Sequence, residues 1–223
     1  MNDVISSLNI LLLVNPTNPS TEIFSVDQLL AWHYQLVQHN GMLIVDEAFM
    51  DSTPEGSLIT QTPKKGLVVL RSIGKFFGLA GIRLGFVWGE DAILEKLAHL
   101  QDDWSVSHPA RWAGKLALAD SHWQKKQRES LPLHSQALSL LLGTSLMKNT
   151  QKCTKTGRAF KVLKTSLFCY LQHPDARKIH HLLAKQGILT RLFNEPSALR
   201  FGLPATKQEF KALARALHHL KAI

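Results

Sequence analysis

The most informative stretch of this chain reads Arg71-Ser72-Ile73-Gly74-Lys75-Phe76-Phe77-Gly78-Leu79-Ala80-Gly81-Ile82-Arg83-Leu84-Gly85. It follows an apolar run at residues 67–70, which is typical of a buried strand. Glycines let the backbone approach a ligand closely, and the hydroxyl of Ser72 with the guanidinium of Arg83 could hold a phosphate. Lys75 stands between a glycine and an aromatic ring, where loss of solvation would favour the neutral, nucleophilic amine. The segment therefore predicts a phosphate site beside a reactive lysine.

Two earlier apolar runs also end in polar residues. Residues 11–14 lead into Asn15, and residues 42–45 lead into Asp46. Ligands of parallel α/β sheets bind at the carboxyl ends of the strands, so we expect Asn15, Asp46 and Lys75 to share one site. A lysine nucleophile beside a phosphate site is what the cofactor pyridoxal 5'-phosphate (PLP) requires.

These motifs resemble the fold-type-I, aspartate-aminotransferase-like PLP enzymes, and within them the histidinol-phosphate aminotransferase branch. The lysine segment is most similar to the threonine-phosphate decarboxylases of cobalamin biosynthesis. Two later stretches, residues 187–191 and 199–204, fit the same branch. The resemblance implies an α/β fold, with a partial large PLP-binding domain and linker helix at residues 1–120. A small α+β domain is expected at residues 121–223.

The resemblance also assigns residues to the cofactor. They are Asn15, Asp46, Ala48, Ser72, Lys75 and Arg83. Asn15 would donate a hydrogen bond to the phenolic oxygen of PLP, and Asp46 would keep the pyridinium nitrogen protonated. Ala48 would lie against one face of the ring, where a larger side chain would collide.

The remaining implied roles concern the phosphate, the reaction and the substrate. Ser72 and Arg83 would hold the cofactor phosphate, while Lys75 would form the Schiff base and later transfer protons. Arg200 would hold the substrate carboxylate as a bidentate fork. Arg191 would support substrate binding, with the substrate's own phosphate as one candidate partner.

The resemblance favours decarboxylation of L-threonine O-3-phosphate to 1-aminopropan-2-ol phosphate. The alternative is an aminotransferase of the histidinol-phosphate type. The two reactions differ in which bond at the α-carbon is held perpendicular to the ring, and one sequence leaves that choice open. Either substrate is a small phosphorylated amino acid or amino alcohol, and the resemblance implies a homodimer.

The chain departs from the family pattern at three places. Phe49 stands where many relatives have a tyrosine, and Gly74 replaces a hydroxyl residue often found before the lysine. The long portion that precedes Asn15 in the family, with a phosphate-binding turn and a stacking aromatic residue, is not part of this sequence. We therefore keep a truncated, non-catalytic remnant as a third hypothesis, and a separate amino-terminal polypeptide as a partner that could supply the portion.

Composition restricts the class of protein. The 223 residues are 45% hydrophobic and 19% charged, which is ordinary for a globular protein. Two cysteines, Cys153 and Cys169, are too few for a disulfide framework and fit a reduced cytosolic protein. The apolar run at residues 10–14 is too short to cross a membrane or to act as a signal sequence. We expect a soluble, cytoplasmic protein without a membrane partner.

The net charge of +9 raises a nucleic-acid-binding module as a further alternative. A basic cluster contains Lys148, Lys152, Lys155, Arg158, Lys161 and Lys164. Only one aromatic residue is interleaved with it, so a solvated basic surface is preferred and no nucleic acid is expected. The histidine pairs 180–181 and 218–219 point about 100° apart on their helices, so no metal site is expected.

Helical spacing of apolar residues predicts the helices of the chain. They are residues 26–39, 91–100, 109–120, 123–142, 175–186 and 207–221. Further strands are expected at residues 86–89, 188–192 and 199–201, and residues 162–171 are expected to be rich in β structure. Residues 53–65 contain two prolines and a glycine and are expected to form a loop.

Overall fold

A computed structural model of the chain describes residues 2–5, 7–146 and 160–220. The chain divides into two compact units. The amino-terminal unit comprises Met1–Asn18 and Glu22–Arg128, and the carboxy-terminal unit comprises Pro19–Thr21 and Glu129–Ile223. The predicted boundary at residues 120 and 121 falls where a long helix, Ser121–Leu146, begins. The two units divide further along that helix, after Arg128.

The amino-terminal unit contains a sheet, its helices and the first part of the long helix. In chain order these are α1 Asn2–Ile5, β1 Ile10–Val14, α2 Val26–Val37, β2 Met42–Asp46, β3 Leu67–Ser72, β4 Gly85–Gly89, α3 Asp91–His99, α4 His108–Ala119 and α5 Ser121–Leu146. Short 3-10 turns lie at Met50–Ser52, Pro54–Gly56, Leu58–Thr60 and Ala80–Ile82. The second and third lie within the predicted loop at residues 53–65, because Pro54 and a capping Ser57 favour tight turns there.

The sheet of this unit has the strand order β1-β2-β3-β4. Strands β1, β2 and β3 are parallel, and β4 is antiparallel to β3. The register pairs Val14 with Asp46 and Asp46 with Leu70, so the carboxyl ends of the first three strands lie side by side. The prediction that the carboxyl ends of these three strands lie at one edge of the sheet is confirmed.

Helix α2 covers the sheet and forms the core of the unit. Ser25 caps the helix by accepting a hydrogen bond from the backbone of Gln28. Leu29 and Leu36 of α2 are fully buried in one cluster with Leu43 of β2. Each such leucine contributes about 1.5–3 kcal/mol through the apolar surface it removes from water. This packing fixes the position of the strands whose ends carry the candidate site.

The carboxy-terminal unit has an antiparallel sheet and three helical segments. Besides the end of α5, its elements are β5 Lys161–Lys164, β6 Phe168–Gln172, α6 Ala176–Ala184, β7 Arg191–Phe193, β8 Ala198–Gly202 and α7 Lys207–Leu220. The strand order is β5-β6-β8-β7, and all three pairs are antiparallel. Leu142 of α5, Leu183 of α6 and Leu217 of α7 are buried in one cluster with Leu171 and Leu199 of the sheet. The predicted α+β character of this region is confirmed.

One predicted strand, residues 188–192, is wrong in its first three residues. Strand β7 begins at Arg191, which pairs with Arg200 of β8. Gly187 has a φ of 74° after α6, and Thr190 is held by His180 through a side-chain hydrogen bond of 2.7 Å. These contacts direct residues 188–190 along the helix end before any cross-strand pairing begins.

Among the described residues, no helix combines the length and apolar character needed to cross a bilayer.

Candidate active site

Asn15 lies at the end of β1 and is fully buried. Its backbone N–H donates to the carbonyl of Asp46 (2.9 Å), which extends the pairing of β1 with β2. Its side-chain Oδ1 accepts from the backbone N–H of Phe24 (2.9 Å), and Nδ2 donates to the Phe24 carbonyl (3.0 Å). An amide nitrogen has two hydrogens, so the second one could still donate to a ligand. Asn15 therefore holds its loop closed, and because it is fully buried, a ligand could reach the second amide hydrogen only if the surrounding residues moved.

Asp46 ends β2 beside Asn15, with its side chain half-buried. Its Oδ1 accepts from the backbone N–H of Ala48 (2.9 Å). This hydrogen bond fixes the rotamer of the carboxylate, and Oδ2 can then accept from a protonated ring nitrogen. Ala48 is itself half-buried next to that carboxylate in the chain.

Ser72, Lys75 and Arg83 lie around one cavity of about 200 Å³ in the turn after β3. Ser72 Oγ accepts from the backbone N–H of Gly74 (3.1 Å), so the hydroxyl hydrogen remains able to donate to a ligand. The Gly78 N–H donates to the Lys75 carbonyl (3.1 Å) and closes the turn. A hydroxyl and two cationic groups around one small cavity are donors of the kind that an anionic ligand requires.

Gly74 lies in a closely packed part of this turn. A Cβ added there would lie 3.2 Å from both Ala80 Cα and Ser72 Oγ. A larger residue would therefore press on the hydroxyl that faces the cavity. Any side chain at position 74 would require Ala80 or Ser72 to shift by a few tenths of an ångström.

The expected loss of solvation at Lys75 is not found, because the side chain is exposed. The two phenylalanines after it are buried in an aromatic cluster with Trp123 instead of covering the ammonium group. Phe76 and Phe77 have ring centroids 5.4 and 5.8 Å from that of Trp123. Lys75 Nζ instead lies 5.6 Å from the ring centroid of Phe49, within the range of a cation–π contact.

The predicted substrate arginines lie in the carboxy-terminal unit, on neighbouring strands. Arg191 of β7 is directly opposite Arg200 of β8. Arg200 is half-buried, with its guanidinium carbon 5.5 Å from the ring centroid of Phe168. Burial, and then the positive charge of Arg191, lower the pKa of Arg200. Like charges directly opposite on a sheet are destabilising, and an anionic ligand would relieve that cost.

Sequence reasoning missed a buried polar network behind the strand ends. Its members are Glu47, Asp51, Ser57 and Arg71. Burial raises the pKa of Glu47 and of Asp51, while hydrogen bonds and the charge of Arg71 partly lower both. In the sequence, the indication of this network is the position of its residues, since Glu47 directly follows Asp46 and Arg71 directly precedes Ser72.

Some predictions concern residues outside the described part of the chain. These residues are Lys148, Lys152, Cys153, Lys155 and Arg158. Within residues 2–5, 7–146 and 160–220, no three His, Cys, Asp or Glu side chains are grouped so that they could hold a metal ion.

The sequence was compared with known proteins. The family described as aminotransferase class I and II matches residues 3–217. A threonine-phosphate decarboxylase from Pseudomonas aeruginosa is 44% identical over 213 residues, covering 96% of this chain and 61% of that protein. A histidinol-phosphate aminotransferase 2 from Hydrogenovibrio crunogenus is 27% identical over 212 residues, covering 90% of this chain and 53% of that protein. The chain thus spans 53–61% of the length of these curated relatives.

A solved structure shares the fold. The crystal structure of histidinol-phosphate aminotransferase from Sinorhizobium meliloti, in complex with pyridoxal-5'-phosphate, matches with a TM-score of 0.82 at 22% identity. The match covers 97% of this chain and 58% of that chain. The aspartate-aminotransferase-like fold predicted from the sequence is confirmed.

Proposed function

We propose, since the chain belongs to the class I and II aminotransferase family, that it acts with PLP on a small phosphorylated amino acid. The reaction we propose is decarboxylation of L-threonine O-3-phosphate to 1-aminopropan-2-ol phosphate in cobalamin biosynthesis. The observation that carries the proposal is the cavity lined by Ser72, Lys75 and Arg83, one strand away from Asp46. The 44% identity to a threonine-phosphate decarboxylase supports this choice of substrate.

The residues of the amino-terminal unit fit PLP in their chemistry. A phosphate needs donors and positive charge, and the Ser72 hydroxyl and the Arg83 guanidinium line the same cavity. A protonated ring nitrogen needs a carboxylate, and Asp46 is held by the Ala48 N–H at the end of the neighbouring strand. When bound, PLP supplies an electron sink for the bond broken at the α-carbon of the substrate.

The side chains of this unit have separate tasks in the proposed reaction. Asp46 keeps a proton on the ring nitrogen, because its carboxylate favours the charged pyridinium. Lys75 Nζ holds the cofactor covalently and afterwards moves a proton at the α-carbon. The Phe24 backbone keeps the Asn15 amide in place, and the residues around Asn15 would have to open before the amide could donate to the phenolic oxygen.

The two arginines of the carboxy-terminal unit are proposed to bind the anionic groups of the substrate. Arg200 would take the carboxylate through a bidentate contact, since a guanidinium presents two parallel donors. Arg191, directly opposite, would take the phosphate. A substrate with both groups would offset the repulsion between the arginines more fully than a carboxylate alone, which supports a phosphorylated amino acid over an unphosphorylated one.

Transamination of the histidinol-phosphate type is the second candidate. The match to a histidinol-phosphate aminotransferase over 90% of this chain favours it. Homodimer formation, a cytoplasmic location, a separate amino-terminal polypeptide and the non-catalytic remnant all stay predictions.

The products decide between these candidates. The chain is incubated with PLP and L-threonine O-3-phosphate, and separately with histidinol phosphate and 2-oxoglutarate. We expect carbon dioxide and 1-aminopropan-2-ol phosphate from the first mixture, and their loss in Arg200→Ala but not in Lys96→Ala, which changes an exposed lysine of α3. Glutamate formed only in the second mixture would identify an aminotransferase. No turnover of either substrate by protein that binds PLP would contradict both candidates.

A further inference from the structure

The Glu47 carboxylate is fully buried and accepts hydrogen bonds from three residues, two in the loop after β2 and one in β3. Oε1 accepts from the backbone N–H of Leu58 (2.8 Å), and Oε2 accepts from Arg71 Nη1 (3.1 Å) and from the hydroxyl of Ser57. Arg71 also donates from Nη1 to Ser57 Oγ (2.9 Å) and from Nη2 to Asp51. The carboxylate therefore joins the end of β2, the end of β3 and the loop between them.

The location of this network relates it to the candidate site. Consecutive residues of an extended chain point to opposite faces, so Glu47 points away from the face that Asp46 presents. The same holds for Arg71 and Ser72 at the end of β3. The backbone N–H of Glu47 donates to the Leu70 carbonyl (2.8 Å), which continues the pairing of β2 and β3 past Asp46. The network lies directly behind two predicted cofactor residues.

Helix α5 holds the outer side of the network. Arg128 Nε donates to the backbone carbonyl of Asp51 (3.0 Å), and its guanidinium carbon lies 5.5 Å from the ring centroid of Phe76, next to Lys75. Asp51 is thus held by Arg71 on its side chain and by Arg128 on its backbone. The lysine turn and the two strand ends are connected through the same set of contacts.

We propose that Glu47 and Arg71 are positioning residues that set the separation between Asp46 and Ser72, an inference that rests on the proposed function. PLP carries its ring nitrogen and its phosphate arm at different positions of one rigid pyridine ring. It contacts both strand ends at once, so its affinity depends on their separation. Inorganic phosphate contacts only the Ser72 and Arg83 side, and its affinity does not depend on that separation.

The test compares these two ligands in Glu47→Gln, which keeps the size of the side chain and replaces one acceptor with a donor. PLP binding is measured by absorbance, and inorganic phosphate is measured as a competitor of PLP. We expect PLP affinity to fall about tenfold or more, the typical effect of losing an outer residue that orients a ligand-binding group. Phosphate affinity should change less than about twofold, since its own donors are untouched. Glu55→Gln, an exposed glutamate of the same loop, is the control and should change neither.

Each other outcome overturns the proposal. Equal weakening of both ligands would mean that Glu47 only maintains the fold, and unchanged PLP affinity would mean that it positions nothing. Failure of the wild-type chain to bind PLP, or of phosphate to compete, would overturn the proposed function itself and this inference with it. Should Glu47→Gln not fold, Ser57→Ala removes one donor to the carboxylate and is subjected to the same comparison.

Discussion

Replacing Gly78 by alanine tests whether the lysine turn depends on a left-handed backbone. Gly78 has a φ of 70°, and a Cβ built there has no other atom within 4 Å. Its N–H closes the turn by donating to the Lys75 carbonyl (3.1 Å). Any loss of stability in Gly78→Ala therefore comes from the backbone conformation and not from a steric clash.

The expected magnitude follows from two opposing effects. A left-handed conformation costs an L-residue about 1–2 kcal/mol. Alanine also restricts the unfolded chain, which stabilises the fold by about 0.4–1 kcal/mol where the native φ is compatible. Gly81 is the matched control, since its Cβ also has open space and its φ is not in the left-handed region. We expect Gly78→Ala to lower the free energy of unfolding by about 1 kcal/mol and Gly81→Ala to raise it by about 0.5 kcal/mol.

The assay is urea unfolding followed by tryptophan fluorescence. All five tryptophans lie in the amino-terminal unit, so their emission reports that unit alone. Gly78→Asn should recover part of the loss, because asparagine tolerates the left-handed region better than alanine. Equal effects of Gly78→Ala and Gly81→Ala would refute the backbone argument.

Three further predictions concern the carboxy-terminal unit. Burial raises the pKa of the Cys169 thiol to about 11. In a Cys153→Ser background, the native chain should therefore react with a thiol reagent at pH 8 only as the carboxy-terminal unit opens. Rapid reaction without denaturant would contradict the buried position of Cys169. Burial lowers the pKa of His173, with Asp175 partly opposing, so the unfolded state binds more protons and stability is lost as the pH falls below about 6.5. In His173→Asn, whose side chain can still accept from the Asp175 N–H, this loss of stability should be smaller by up to about 1.4 kcal/mol per pH unit. The measurement is urea unfolding at several pH values, followed by circular dichroism. His181→Asn, at an exposed histidine, is the control, and an equal change in both variants would exclude a special role of His173. Leu199→Ala, at a fully buried position of β8, should lower the free energy of unfolding by about 2–5 kcal/mol, measured by urea unfolding and circular dichroism. A loss below about 1 kcal/mol would mean that the core of this unit is not packed as described.

The strand ends could be predicted from the sequence because their signal is local. An apolar run long enough for a buried strand, followed by a polar residue, locates Asn15, Asp46 and Ser72 without knowledge of the rest of the chain. The parallel pairing then brings them to one edge, as the structure shows.

The features that were missed depend on long-range packing. The exposure of Lys75 depends on the packing of Phe76 and Phe77, and both rings pack against Trp123 of α5 instead of covering the lysine. The partners of Glu47 lie 10 to 24 residues away in the chain, so adjacency to Asp46 alone could not reveal them. The start of β7 at Arg191 likewise depends on a contact between His180 and Thr190, across the helix end.

The central claim, that Lys75 lies in a PLP site, is tested most directly by trapping the cofactor. The purified chain is mixed with PLP, reduced with borohydride, digested and analysed by peptide mass spectrometry. We predict one stable adduct at Lys75 in the wild type and in Lys96→Ala, weaker labelling in Arg83→Ala, and none at that peptide in Lys75→Ala. Labelling spread over exposed lysines of the folded chain, with no preference for Lys75, would contradict the account.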